Sequence, residues 1–174
     1  MSAPLEAIPL RRSPTDLVAL LTGTIETLQE QARALDVALA IDAAPTLPRV
    51  NVDAEKIAWA VATLVGNAFR YVRRGTRRLP GGSIAVRLRT EANDIVISVE
   101  DDGPGIPADK VANLFRRGGG VTHGTGLALM LIEDIVTAHG GTIEVKSKCD
   151  AFASGTTLTL RIPMAVATRA AQPA

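Results

Sequence analysis

The sequence predicts an α+β fold, a two-layer α/β sandwich in which a mixed, mainly antiparallel sheet is covered by helices on one face. Long stretches with apolar residues three and four apart read as helices. Short stretches rich in β-branched residues alternate apolar and polar positions and read as strands, two of them joined by a connection short enough for a hairpin. The 174 residues, 47% of them apolar, suffice for one domain with a real core. No internal repeat or second domain is visible.

The elements follow in order. Residues 1–12 hold Pro4, Pro9, Arg11 and Arg12, show no period, and are expected to form a linker or boundary segment. Ser13-Pro14-Thr15-Asp16 reads as a helix start, with Ser13 as N-cap and Pro14 at the first helical position. Leu17, Leu20, Leu21, Ile25 and Leu28 continue that helix to about Arg33. Val37, Leu39 and Ile41 alternate as a strand, Pro45 and Pro48 mark a loop, and Val50 to Val52 fits a short strand. Asp53 caps a second helix, expected to run to about Arg74, with Ile57, Ala60, Val61, Leu64, Val65 and Ala68 as its apolar face.

Gly75, Pro80, Gly81 and Gly82 lie in the next loop. Ser83 to Thr90 and Asp94 to Glu100 read as two strands with a tight connection. Pro107 to Phe115 is expected as a short helix, and Leu127 to Ala138 as a third long one ended by Gly140 and Gly141. Thr142 to Ser147 and Thr156 to Ile162 are the closing strands, with a turn at Ser154-Gly155. The folded unit is therefore expected over 13–164, followed by a frayed tail over 165–174.

Composition narrows the function. Aromatic residues are only 3%, so the core rests on Leu, Val, Ile and Ala. A net charge of +1 gives no global case for a nucleic-acid or membrane partner. The single cysteine, Cys149, excludes an intramolecular disulfide and a multi-cysteine zinc site. No apolar run approaches the roughly 18 residues of a membrane span. The first residues lack the order of a secretory signal, and a cytoplasmic location is expected.

Three stretches hold residues with chemistry. Ile95, Ile97 and Val99 make a buried strand that delivers Asp101 to the turn Asp102-Gly103-Pro104-Gly105. Taken alone this is either an acidic surface turn or a carboxylate presented beside a pliable loop. Asn67, Arg70 and Tyr71 share one helical face. An amide oxygen suits magnesium, a guanidinium suits phosphate and a ring packs beside a base; the plainer reading is a polar helix edge. Gly118 to Gly126 is glycine-rich and leads into a helix, whose N-terminus suits anions. Its last part, His123-Gly124-Thr125-Gly126-Leu127, is neither a Walker loop nor a dinucleotide fingerprint.

In this order the three stretches resemble the ATP-binding catalytic domain of sensor histidine kinases, within the superfamily of type II topoisomerase, Hsp90-type chaperone and mismatch-repair ATPases (the Bergerat fold). LVGNAFRYV, Leu64 to Val72, is similar to the N box. EDDGPGIP, with Asp101, Gly103 and Gly105, is similar to the G1 box. Phe115 resembles the F box, and GTGLALML, Gly124 to Leu131, the G2 box. AHGGTIEVKS and GTTLTLRIP resemble the closing strands, so the likeness covers about Pro14 to Pro163.

The resemblance implies ATP and Mg2+ as cofactors and assigns roles. Asp101 accepts a hydrogen bond from the adenine amine. Asn67 holds the magnesium, Arg70 contacts phosphate and Tyr71 flanks the base. Gly103, Gly105 and Ile106 lie close to the nucleotide. Gly124, Thr125, Gly126 and Leu127 offer backbone N–H groups to the phosphates. Residues 118–123 form a short lid, with Arg116, Arg117 or His123 adding charge near the γ-phosphate.

Departures from the family pattern matter as well. Thr63 stands where the ATPase branches have a glutamate base, which argues against efficient hydrolysis, and Ala128 replaces a frequent glycine. His123 and His139 lack the context of a phosphoacceptor, and His139 reads as a helix C-terminal residue suited to the dipole. The resemblance thus implies a phosphoacceptor on the dimerisation and histidine-phosphotransfer domain of a parent kinase, with a response regulator downstream. The parent is either membrane-anchored or not, and the isolated domain is expected to be monomeric. Rival readings are an anti-sigma-type protein-serine kinase, a degenerate docking domain and, more distantly, a gyrase-like ATPase. Arg70, Arg73, Arg74, Arg77 and Arg78 read as a solvated helix end rather than a patch for an acidic partner or nucleic acid.

Overall fold

The computed structural model describes residues 8–116, 125–150 and 153–164. Its elements are β1 (Ser13–Thr15), α1 (Leu17–Leu35), β2 (Ala38–Ala43), β3 (Val50–Val52), α2 (Ala54–Tyr71), β4 (Ser83–Glu91) and β5 (Asp94–Asp101). They continue with α3 (Ala108–Val111), α4 (Thr125–Ala138), β6 (Thr142–Asp150) and β7 (Ala153–Pro163). Strands β2-β4-β5-β7-β6 form the main sheet in that order. The β2–β4 pair is parallel and the others are antiparallel.

Register decides which side is covered. Ile84, Val86 and Leu88 of β4, Ile95, Ile97 and Val99 of β5, and Leu158, Leu160 and Ile162 of β7 share one face and are buried. The ladder sets Val86 opposite Val99 and Ile97 opposite Leu160, so a one-residue slip would turn this whole set to solvent. The apolar faces of α1, α2 and α4 close over it, through Leu21 and Ile25, Ile57, Val61 and Leu64, and Ile132 and Val136. Each such side chain contributes about 1.5–3 kcal/mol on burial. The opposite face carries the ion pairs Arg87–Glu100, Arg89–Asp42 and Arg161–Glu91. The mixed sheet covered on one face is therefore the fold expected from the sequence.

Several local expectations are corrected. Ser13, Pro14 and Thr15 are a strand, not the first turn of a helix. They pair antiparallel with β3, Pro14 opposite Asn51; a two-stranded ribbon tolerates the missing proline N–H. The N-cap is Asp16, whose carboxylate accepts the Ala19 N–H at 3.0 Å. Helix α2 ends at Tyr71 instead of Arg74, because Val72 turns extended and buries its side chain. The short helix expected over 107–115 is the single turn of α3 followed by hydrogen-bonded turns to Arg116. Ser154 and Gly155 are not a turn; they extend β7 and pair with Cys149 and Lys148. The expectations for residues 117–124 and for the tail from residue 165 lie outside the described residues.

His139 is also corrected. It is 4% exposed; its Nδ1–H donates to the Ile135 carbonyl at 2.8 Å and its Nε2 accepts the Asp53 N–H at 3.0 Å. Burial pushes its pKa down, so it is a neutral tie between α4 and the start of α2, not a cation at a dipole. The chain ahead of β1 joins this tie. The Arg11 N–H donates to Asp53 at 2.9 Å and the Arg12 guanidinium donates to the Ala138 carbonyl at 2.8 Å. Among the described residues no helix is long and apolar enough to cross a membrane.

Candidate functional site

β5 ends at Asp101, and the turn that follows is fixed on both sides. The Gly103 N–H donates to Asp101 Oδ1 at 2.9 Å. Asp102 accepts the Ser83 N–H at 2.8 Å and the Ser83 hydroxyl at 2.9 Å, pinning the turn to the start of β4. Gly105 has φ +77°, and the Lys148 carbonyl occupies the space a Cβ would need. Only glycine meets both conditions. The next residue, Ile106, donates its N–H to Ser147 Oγ at 2.7 Å. Ser147 Oγ also lies 2.9 Å from Thr156 Oγ1 and donates to the Gly155 carbonyl at 3.0 Å.

Asp101 faces a cavity between the sheet and α2. Asn67 and Tyr71 of α2, Gly105 and Ile106 of the turn, and Thr156 of β7 complete its polar and loop-borne edge. Leu64, Val99, Leu114, Leu129 and Leu158 form apolar walls. Burial pushes the Asp101 carboxyl above its ordinary range, the Gly103 N–H opposes this, and the neighbouring Asp102 charge adds to it. An apolar slot ending in one desolvated carboxylate suits a flat heteroaromatic ring that presents an N–H donor.

The apolar face of α2 is buried, which sets Asn67 and Tyr71 at the cavity edge. Asn67 Nδ2 is buried and has no hydrogen-bond partner among the described groups. Arg70 is not in this cavity. It lines a groove on the far side of Asn67 together with Thr63, and Asn67 borders both spaces. Gly103 acts through its N–H to Asp101 instead of lining the cavity. Thr125 and Gly126 form the first turn of α4, and the Leu127 side chain is 69% exposed. That first turn has backbone N–H groups without helical acceptors, a ready anion site. Gly124 lies outside the described residues.

Sequence reasoning missed Thr156, which lines the cavity, and Ser147, which holds the Ile106 backbone beside it. The signal was present: Thr156 has the same parity as Leu158, Leu160 and Ile162 along β7, so a hydroxyl falls on the core face. Register then sets it directly opposite Asp101. Among the described residues no three His, Cys, Asp or Glu side chains are grouped to hold a metal.

The family model described as histidine kinase-, DNA gyrase B- and HSP90-like ATPase matches residues 52–166. The chain is 32% identical over 142 residues to the alginate biosynthesis sensor protein KinB of Pseudomonas aeruginosa, covering 80% of this chain and 23% of that protein. It is 30% identical over 150 residues to the sensor histidine kinase ZraS of Escherichia coli K12, covering 86% of this chain and 30% of that one. The fold is shared with full-length ShkA solved in complex with AMPPNP, at TM-score 0.78 and 23% identity, over 90% of this chain and 32% of that chain. It is shared also with the mycobacterial sensor histidine kinase MprB, at TM-score 0.72 and 24% identity, over 87% and 97%. The chain thus spans less than half the length of these two curated relatives.

Proposed function

This chain belongs to the histidine kinase-, DNA gyrase B- and HSP90-like ATPase family and is an ATP-binding domain of the histidine-kinase type; we propose that it binds Mg–ATP and presents the γ-phosphate to a histidine on a separate helical domain. The observation that carries this reading is Asp101, a desolvated carboxylate at the end of an apolar slot, with the Thr156 hydroxyl opposite it. Asp101 accepts the adenine exocyclic N–H, while Tyr71 and Ile106 flank the ring. The glycine turn lets the base approach the backbone. Phosphates lie toward Asn67, Arg70 and the first turn of α4, where Gly124, Thr125, Gly126 and Leu127 present N–H groups. We assign the nucleotide-binding unit to residues 13–164.

The residues present fit a magnesium ion. The Asn67 amide sits at the junction of cavity and groove; its oxygen can supply the ligand that magnesium prefers, while its buried, unpartnered Nδ2 is a donor that suits a phosphate oxygen. The metal's other ligands would come from phosphate and water. Bound there, the ion neutralises phosphate charge.

The chain itself positions and neutralises; phosphoryl transfer asks for little covalent work. An imidazole nitrogen of the acceptor attacks the γ-phosphorus and ADP leaves. Thr63 borders the phosphate-side groove and is a poor base at neutral pH, which favours transfer over hydrolysis. The acceptor belongs to the dimerisation and phosphotransfer domain of a parent kinase, with a response regulator receiving the phosphoryl group next. We place the domain on the cytoplasmic side and expect it to be monomeric when isolated.

Calorimetric titration of the chain with ATP and ADP, with and without Mg2+, tests the reading. Micromolar-range binding that collapses in Asp101→Asn supports it. A folded chain that binds neither nucleotide refutes it and leaves a docking module.

A further inference from the structure

A groove opens beyond Asn67 along the outer surface of α2, between α1 and α4. Thr63, Asn67 and Arg70 of α2, Gln31 of α1, Ala128 of α4 and the following Arg74 line it. Its described lining contains no carboxylate. Elsewhere, Arg87, Arg89 and Arg161 pair with acids, and Arg12 and Arg73 donate to carbonyls. Among the described residues, Arg70 and Arg74 form no ion pair, and neither do Arg33, Arg49, Arg77 and Arg78; Arg70 and Arg74 differ in sharing one groove. Two arginines in one groove whose other lining residues are uncharged, Gln31, Thr63 and Asn67 among them, make a place for an anion.

Arg74 is presented from a fixed backbone. Helix α2 stops at Tyr71, and the Gly82 N–H donates to the Arg73 carbonyl at 2.8 Å. On the other side, the Gly75 N–H donates to the Leu35 carbonyl at 3.0 Å. The Arg73 guanidinium is tied back to the Pro80 carbonyl at 2.9 Å. The backbone around Arg74 is thus ordered before any ligand arrives, which lowers the entropy lost on binding.

Asn67 borders both the cavity and the groove. A nucleotide with its base against Asp101 passes Asn67, and its far end emerges beside Arg70 and Arg74. We propose that Arg74 recognises the terminal phosphate and makes the site selective for a nucleoside triphosphate over a diphosphate. This rests on the ATP-binding reading above. Arg70, one helical turn from Asn67, takes the inner phosphates. Once the terminal phosphoryl group has left, the diphosphate no longer reaches Arg74, and the selectivity favours its exchange for fresh triphosphate.

The test is titration of the full chain and of Arg74→Gln with a non-hydrolysable ATP analogue and with ADP, both with Mg2+. The expected result is a loss of about tenfold in affinity for the triphosphate analogue with ADP affinity unchanged. Unchanged thermal unfolding would accompany it, since Arg74 is exposed. Arg74→Lys keeps the charge and should recover part of the loss. Equal losses for both nucleotides, or no loss for either, overturn the assignment while leaving the ATP site standing. No binding of either nucleotide by the unaltered chain overturns both.

Discussion

Replacing Asp53 by alanine removes an anchor shared by α2 and the chain that enters the domain. Its carboxylate accepts the Arg11 N–H at 2.9 Å, the Lys56 N–H at 3.2 Å and the Lys56 ammonium at 2.9 Å. The side chain is 4% exposed, so solvent does not screen these contacts as it does on the surface. Burial alone would raise the carboxyl; the Lys56 and Arg11 bonds outweigh it and bring it from an ordinary 3.8 to about 2. That difference corresponds to about 2 kcal/mol. A carboxyl depressed on folding stabilises fully above pH 3.8 and loses its contribution as pH falls from there to about 2.

The helix-cap bond from the Lys56 N–H is among the causes of that shift, so it is already within the loss of about 2 kcal/mol at neutral pH. In a chain of this size that lowers Tm by about 4–8 °C. Thermal and urea unfolding of the chain and of Asp53→Ala, run from neutral pH down to about pH 3, give the readout. The gap between the two should narrow as pH falls below 3.8. A neutral-pH gap below about 0.5 kcal/mol, or one that ignores pH, would refute the reasoning.

Asp101→Asn should cost about 10–100-fold in ATP and ADP affinity with little change in Tm, read by calorimetry. Burial raises the Asp101 carboxyl, so nucleotide affinity of the unaltered chain should decline with acidification at a higher pH than for an exposed carboxylate. Gly105→Ala should lower both stability and ADP affinity, by more than about 1 kcal/mol in unfolding measurements, because φ is +77° and the Lys148 carbonyl fills the space. Burial depresses His139, so the unfolded chain takes up its proton near 6.5 while the folded one resists. Stability should therefore fall as pH drops below 6.5. His139→Gln should flatten the slope that urea titrations show across that range.

What was legible in the sequence was whatever repeats with a period. The core face of α2 shows in Ile57, Val61, Leu64 and Ala68, and all are buried. The alternation of Ile95, Ile97 and Val99 likewise gave the strand that carries Asp101. β1 was illegible because three residues have no period, and Ser-Pro-Thr-Asp contains three good cap residues of which only Asp16 is used. Parity along β7 puts the Thr156 hydroxyl on the core face, but its place opposite Asp101 was illegible because that pairing is set by a ladder between distant strands. His139 was misread since its position at a helix end was visible, while the Asp53 N–H that fills its Nε2 comes from another element. Arg70 shares a helix with Asn67, yet only the structure separates cavity from groove.

β7 lies between β5 and β6 in the sheet, although it follows both along the chain. A polypeptide leaving the ribosome therefore completes α2, β4 and β5 while the strand bearing Thr156 and Leu158 does not yet exist. Until β7 slides into its slot, β5 has an open edge and the cavity lacks a wall, and such long-range pairing is slow to form. If the cavity holds the nucleotide as proposed, that ability arrives with β7. A product stalled or clipped before Ala153 lacks the wall that Thr156 and Leu158 supply and should not retain ATP.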